Sequence, residues 1–420
     1  TPKPSSAASD VYKRQRLRRK VQYSAALVAS ALLLASCQNP ANQEDKDEAS
    51  ATPTTTSSST SAEKTSEASS TASSSSSATS SSSASSSATS SSTTSTKSSG
   101  SHAKQRSEIE GHVVVLSTGG TIASTHDDKG AVVPTVKGSD LVDPLYSEFN
   151  KDKLELEVKD IAKLDSSAMT LADTDKIITA VHEQLERDDV DGVIVTHGTD
   201  SMEETAIALD TFYDSDKPVV LTGAMRPFDD DDPDGPENLA TAVETVTNPD
   251  YAGHGAFIAF GGKVIPARGA FKSDTEKADG FATNSQEKFP ERPDPLKYAP
   301  LGDVRVDIIA AYPGAPADLI EQSLAKGAQA IVIEGMGSGN IGLDLANAAM
   351  EAAKSVPVVL TTRVDHGPVE GIYGGAGGGA TLADAGVIPS GNLRAPQARM
   401  LLAAAVATGT DAQKLFPTAE

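Results

Sequence analysis

Tryptophan is absent from this 420-residue chain, aromatic residues make up 4 % of it, and there is a single cysteine, Cys37. One thiol cannot close a disulfide within a chain, so nothing after Cys37 is held by covalent cross-links. Positive charge is also scarce. The chain carries 36 Lys and Arg against 58 Asp and Glu, and seven of those bases but one acid precede residue 38. The remainder therefore sets 29 bases against 57 acids, a net of −28. A body so acidic repels phosphate backbones and anionic membrane surfaces, which argues against nucleic-acid binding. No run after Cys37 approaches the roughly 20 apolar residues of a membrane span, so a soluble domain is expected there. An initiator Met is missing too, and the first fifteen or so residues show no usable pattern, which suggests a fragment or a misassigned start.

What is present begins with a basic stretch, Arg14 to Lys20, followed by an apolar run from Ala25 to Ala35 that ends in Leu34-Ala35-Ser36-Cys37. A positive n-region, a short h-region and a small-residue cleavage site are the parts of an export signal. Cys at the site itself resembles the lipobox of bacterial lipoproteins and makes Cys37 the expected lipidation position. Residues 38–107 are dominated by Ser, Thr and Ala and hold few large apolar side chains. Such a composition cannot bury enough surface to offset chain entropy, so a disordered tether is expected, long enough to hold a domain away from its anchor.

The rest is organised around Val113 to Thr125, VVVLSTGGTIAST. A buried-strand run, Val113 to Ser117, leads into Thr118-Gly119-Gly120-Thr121, where two glycines leave the backbone open to close approach. A second stretch, Asp191 to Thr205, repeats the plan: Val193 to Val195 runs into His197-Gly198-Thr199-Asp200. In open α/β sheets, ligands sit in the crevice beyond the carboxyl ends of the strands, so hydroxyls on two such loops can meet at one site. Read singly, each stretch is equally a strand followed by a glycine turn.

Beyond Val113–Ser117, candidate strands lie at Gly192–Thr196, Pro218–Leu221, Ala256–Phe260, Val306–Ala311, Ala330–Ile333 and Pro357–Leu360. Candidate helices alternate with them at Thr170–Arg187, Ser201–Phe212, Asn238–Val246, Ala317–Ala325, Asp344–Ser355 and Pro396–Ala407. The alternation predicts α/β architecture with a mostly parallel sheet. Pro290, Pro293, Pro295 and Pro300 mark an extended connection at about 289–303. It divides a larger N-terminal α/β domain, residues 108–295, from a smaller C-terminal one, residues 296–420.

The pair TGGTIA and HGTDSMEETA resembles the two signatures of the L-asparaginase/glutaminase family of bacterial type. The likeness continues in order through Gly223-Ala224-Met225-Arg226-Pro227, Asp234 to Leu239, Gly337-Ser338-Gly339-Asn340 and Pro396-Gln397-Ala398-Arg399. It implies the same two-domain fold and hydrolysis of L-asparagine, with L-glutamine as a second candidate substrate, through an acyl-threonine intermediate and without metal or organic cofactor. Thr121 matches the attacking Thr, and Thr199, Asp200 and Lys272 match a Thr–Asp–Lys trio. Ser166 matches the Ser that binds the substrate carboxylate, while Asp200 takes its ammonium. The family assembles as dimers of dimers, with Asn340 reaching a neighbour's site.

Two features depart from the family pattern. Thr125 to Gly138 contains no Tyr where a mobile one is expected, and the position of a catalytic Glu falls in glycine-rich Gly374 to Ala380. Either Tyr146, Tyr373 or Glu370 stands in, or the Lys272 trio carries more of the proton transfer. The Gly374–Gly379 run reads as a mobile loop rather than a phosphate cradle. Asp229–Asp234 reads as a solvated turn rather than a calcium loop, His197 as an orienting or packing group, and Asp200 has a plain alternative as a helix cap. Rival functions are an amino-acid-binding lipoprotein and an amidase of the same fold acting on a larger amide.

Overall fold

The computed structural model describes residues 105–416. The expected signal, Cys37 and most of the expected tether lie outside those residues. The fold begins with β1 (Gly111–Gly119), and its Val113 to Leu116 are fully buried. After a hairpin of β2 (Ser124–His126) and β3 (Val132–Pro134), the short helix α1 (Gly138–Val142) leads to β4 (Leu154–Leu164). Helices α2 (Leu171–Leu185), α3 (Met202–Thr211) and α4 (Gly235–Val246) then alternate with β5 (Gly192–Thr196), β6 (Val219–Thr222) and β7 (Ala256–Phe260), and β8 (Lys263–Pro266) turns back on β7.

These strands make a six-stranded sheet in the order β4-β1-β5-β6-β7-β8, parallel except at β8. A parallel sheet is covered on both faces, which is why β5, β6 and β7 read as continuous apolar runs. Alternate residues divide the core. Val114 and Leu116 join Ile177 and Val181 of α2 and Ile207 of α3 on one face, while Val113 and Val115 join Leu141 of α1 and Leu239 and Val243 of α4 on the other. From β1 the chain passes to β4 on one flank and then to β5 on the other. The winding therefore reverses between β1 and β5, and a crevice opens at their carboxyl ends.

A two-stranded pair, β9 (Ala270–Lys272) and β10 (Phe281–Thr283), follows. The second sheet is four-stranded and parallel, β11 (Val306–Ala310), β12 (Ala330–Gly335), β13 (Val358–Thr362) and β14 (Ile388–Pro389), in sequence order. It carries α5 (Asp318–Ala325), α6 (Leu343–Ala352), α7 (Gly379–Asp384) and the buried α8 (Ala395–Thr408). Leu401 and Leu402 of α8 share one core with Ile207 of α3 and Val332 of β12, so the helix joins the two sheets. The described residues all fall in one compact unit.

The architecture is the α/β fold that the alternation predicts. β4 goes beyond that reading. Its sequence, LELEVKDIAKL, is heavily charged and lacks the apolar run of its neighbours, and it can form because it is an edge strand with a half-exposed surface. Among the described residues no helix is long and apolar enough to cross a membrane.

Candidate active site

The loops after β1 and β5 touch through glycine. Gly120 has φ +78°, and a Cβ there would stand 2.5 Å from the Gly198 Cα. A Cβ on Gly198 would in turn lie 2.4 Å from the Ser166 Oγ. Backbone packs against backbone at Gly120 and against the Ser166 side chain at Gly198, so neither position accepts a side chain. The two threonines of TGGT separate in consequence. Thr118 is buried and its Oγ1 donates to the Thr196 carbonyl at 2.8 Å, tying β1 to β5. Thr121 opens a short 3-10 turn, Thr121–Ala123, and faces a cavity.

On the β5 side, His197 is fully buried, with Nδ1 2.7 Å from the Gly198 carbonyl and Nε2 3.0 Å from the Thr205 Oγ1. A carbonyl only accepts, so Nδ1 carries the proton and Nε2 accepts from Thr205. Burial without a counter-charge pushes its pKa down to about 4 and keeps the ring neutral. Its role is to hold the loop in shape, as the sequence suggests.

Next to it, Lys272 at the end of β9 donates from Nζ to the Thr199 Oγ1 at 2.8 Å and to the Asp200 Oδ1 at 2.6 Å. Asp200 is not the cap of α3. Ser201 occupies the cap position and its Oγ donates to the Ser166 carbonyl at 2.7 Å. The Asp200 side chain remains 55 % exposed, which leaves carboxylate surface for a ligand cation. Its backbone N–H donates to the Ser166 Oγ at 3.2 Å, and that hydroxyl keeps its own proton to donate.

Thr121, Ser166, Thr199, Asp200 and Lys272 together line one cavity of about 280 Å³, which Gly120, Val132, Pro134, Met225 and Thr275 help to wall. Asn340 is not among its lining residues. It closes the Met336–Asn340 turn after β12, where its Oδ1 and the Ser338 Oγ are buried with no partner among the described residues. Tyr146 does not line the cavity either. Its OH accepts from the Leu156 N–H at 3.3 Å and Lys151 lies over its ring. Tyr373 and Glu370 are exposed, sit in the segment leading to α7 and are not among the lining residues. The wall where the family pattern has a Tyr is the β2–β3 hairpin, which presents Val132 and Pro134. The hairpin is pinned by His126, whose backbone N–H and Nδ1 both meet the Asp229 carboxylate, at 2.9 and 3.0 Å.

The glycine run 374–379 divides: Gly374 and Gly375 are exposed with open space around them, whereas Gly377 to Gly379 pack against neighbouring backbone. A Cβ on Gly377 would lie 2.0 Å from the Ile341 carbonyl and one on Gly378 2.2 Å from that of Tyr373. The acidic run is mixed. Asp231 and Asp232 are exposed, whereas buried Asp234 accepts from the backbone N–H groups of Met225 and Arg226 at 3.0 and 2.9 Å. Among the described residues no group of three or more His, Cys, Asp or Glu could hold a metal ion.

Sequence reasoning passed over Glu203. Its carboxylate accepts the Lys272 backbone N–H, and burial pushes its pKa up to about 7 despite that hydrogen bond. The available signal was an acid in the first turn of a helix whose neighbours are otherwise apolar on that face.

A model of the Asparaginase N-terminal domain matches residues 112–292, and one of the Glutaminase/Asparaginase C-terminal domain matches residues 305–416. The chain belongs to the asparaginase family. As a member it is an amidohydrolase. The chain is 39 % identical over 227 residues to a probable L-asparaginase of Deinococcus radiodurans, half of this chain and 70 % of that one. It is 32 % identical to a probable periplasmic L-asparaginase of Haemophilus influenzae, with 71 % of this chain and 90 % of the relative covered. A crystal structure of a probable cytoplasmic L-asparaginase from Campylobacter jejuni superposes with a TM-score of 0.63 at 28 % identity, covering 73 % of this chain and 98 % of that one. The asparaginase fold thus carries both glycine loops and the cavity between them.

Proposed function

We propose that this protein hydrolyses L-asparagine to L-aspartate and ammonia, with L-glutamine as a second substrate, through an ester on Thr121. The observation that carries this reading is the Lys272 amine, held between the Thr199 hydroxyl and the Asp200 carboxylate in the cavity that Thr121 also lines. A threonine hydroxyl attacks an amide only when a base takes its proton, and a hydroxyl–amine–carboxylate chain can relay that proton. The substrate ammonium pairs with Asp200 and its α-carboxylate accepts from Ser166, which sets the side-chain amide toward Thr121. In the first half-reaction the Thr121 Oγ bonds to the amide carbon. The C–N bond breaks, and the hydroxyl proton reaches the leaving nitrogen as ammonia departs. Water then adds to the ester carbon, the ester C–O bond breaks, aspartate is released and a proton from that water restores the Thr121 hydroxyl.

Two further parts belong to the same proposal. The enzyme works as a dimer of dimers in which Asn340 approaches a neighbour's cavity, and export with lipidation at Cys37 holds it on the outer face of a membrane. Ammonia release from a panel of free asparagine, free glutamine and peptide-bound asparagine tests the activity, and free asparagine is expected to react fastest. Turnover confined to the peptide amides would instead make the protein an amidase for larger substrates. Tight amino-acid binding without ammonia release would make it a binding lipoprotein.

A further inference from the structure

Gln397 is the second residue after the start of α8, far from the cavity in sequence and outside its lining, yet it is completely buried and every polar end is used. Its Nε2 donates to the Ala267 carbonyl at 2.6 Å and to the Glu203 carbonyl at 3.2 Å, and its Oε1 accepts from the Gly269 N–H at 2.9 Å. These partners fall on two segments that matter together. Ala267 and Gly269 form the turn that launches β9, with Gly269 at φ +89°, and β9 ends in Lys272. Glu203 stands in the first turn of α3, three residues after Asp200, and its carboxylate accepts the Lys272 backbone N–H. The links close a ring: Gln397 to the β9 turn, along β9 to Lys272, from Lys272 to Glu203, and from Glu203 back to Gln397.

We propose that Gln397 is a positioning residue for the reaction, by which the C-terminal helix α8 fixes the Lys272 amine against Thr199 and Asp200. A flexible lysine stem keeps its head in one place only if the backbone at both of its partners is fixed. Gln397 grips the segment that presents the amine and the first turn of the helix that follows the loop bearing the hydroxyl and carboxylate, so one planar amide sets their separation. A glutamine that served only to fill the core could have its bonds on any two segments. This inference rests on the role proposed above for Lys272, and the test separates the two.

The experiment compares the full-length parent with Gln397→Met, Lys272→Met and the double variant, using asparagine as substrate and a crystal structure of Gln397→Met. Loss of positioning is expected to lower kcat on the order of 10²-fold in Gln397→Met, as a misplacement of about 1 Å does elsewhere. KM is expected to stay within about twofold, because the backbone that presents Asp200 to the substrate is also tied to Ser166 through the Asp200 N–H and the Ser201 hydroxyl. The double variant is expected to be no slower than Lys272→Met alone, since both changes remove one function. In the crystal structure the Lys272 Nζ is expected beyond about 3.5 Å from the Thr199 Oγ1 or the Asp200 Oδ1. An unmoved amine, or losses that multiply in the double variant, overturns the proposal. If the parent releases no ammonia but the amine moves, the positioning stands and the proposed activity falls. Should Gln397→Met not fold, Gln397→Asn, which keeps both polar ends but withdraws them by one carbon, is read in the same way, and an unmoved amine there overturns the proposal equally.

Discussion

A hydroxyl can do chemistry only if it is not already committed, and the two threonines of the β1 loop differ in that respect. The Thr118 Oγ1 is spent on the Thr196 carbonyl, whereas Thr121 faces the cavity. Thr121→Ala is therefore expected to abolish ammonia release while leaving aspartate binding, measured by calorimetry, close to that of the parent. Thr121→Ser keeps the oxygen but loses the methyl that restricts χ1, and should retain partial turnover. An alanine variant as fast as the parent would remove Thr121 from the chemistry. Two buried titratable groups next to this loop act on stability with opposite sign. Glu203, raised to about 7, keeps a proton in the folded chain that the unfolded chain releases above its ordinary value of 4.5, so its contribution to stability falls as pH rises from about 4.5 to 7. His197, lowered to about 4, binds its proton only when unfolded between there and 6.5, so its contribution rises across that window. Their effects largely cancel between pH 4.5 and 6.5. Removing one exposes the other: the stability of Glu203→Gln relative to the parent, from denaturant curves, is expected to rise by roughly 3 kcal/mol between pH 4.5 and 7. A pH-independent difference would mean that Glu203 keeps an ordinary pKa in the fold.

At the scale of elements, the site depends on two loops that approach more closely than side chains allow. Gly120 and Gly130 both have φ near +79°, but a Cβ on Gly120 meets the Gly198 backbone at 2.5 Å while one on Gly130 meets nothing within 4 Å. The pair therefore separates strain from contact. Gly130→Ala is expected to cost about 1–2 kcal/mol for its left-handed backbone and to leave turnover unchanged. Gly120→Ala is expected to cost more than that in thermal unfolding and to lower kcat on the order of 10²-fold, because the β1 and β5 loops must part. Equal effects of the two substitutions on activity would show that the loop contact does not set the site. The hairpin that walls the cavity is built on a similar economy, since Ser124 pairs with Pro134 and His126 is held by Asp229.

For the whole molecule, the informative groups are the Asn340 Oδ1 and the Ser338 Oγ, buried without a partner among the described residues. A buried polar atom left unpaired costs about 1–3 kcal/mol, so its partner is sought in water or another subunit. Light scattering of the detergent-solubilised chain is expected to give a tetramer, and Asn340→Ala to reduce turnover without changing the fold of the single chain. A fully active monomer would count against the shared site. The proposed attachment rests on one thiol. Cys37→Ala is expected to move the protein from the membrane fraction to the soluble fraction, and unchanged retention would refute the lipid anchor.

Short windows of sequence decided much of this protein. The apolar runs at Gly192–Thr196 and Ala256–Phe260 become strands with those bounds, because a strand buried on both faces has no other composition available. The glycines of the two loops stand where no Cβ fits, and five of the residues singled out by motif line one cavity. The edge strand β4 was not legible, since its charged, half-exposed pattern resembles solvated chain as much as strand. Neither was the division of labour between Thr118 and Thr121, which depends on a carbonyl 78 residues away. Glu203 meets Lys272 across 69 residues and Gln397 meets Glu203 across 194. Backbone conformation and burial are constrained by neighbours in sequence and so leave a local pattern, whereas a hydrogen bond between distant segments leaves none, and only the folded chain decides which of its polar groups meet.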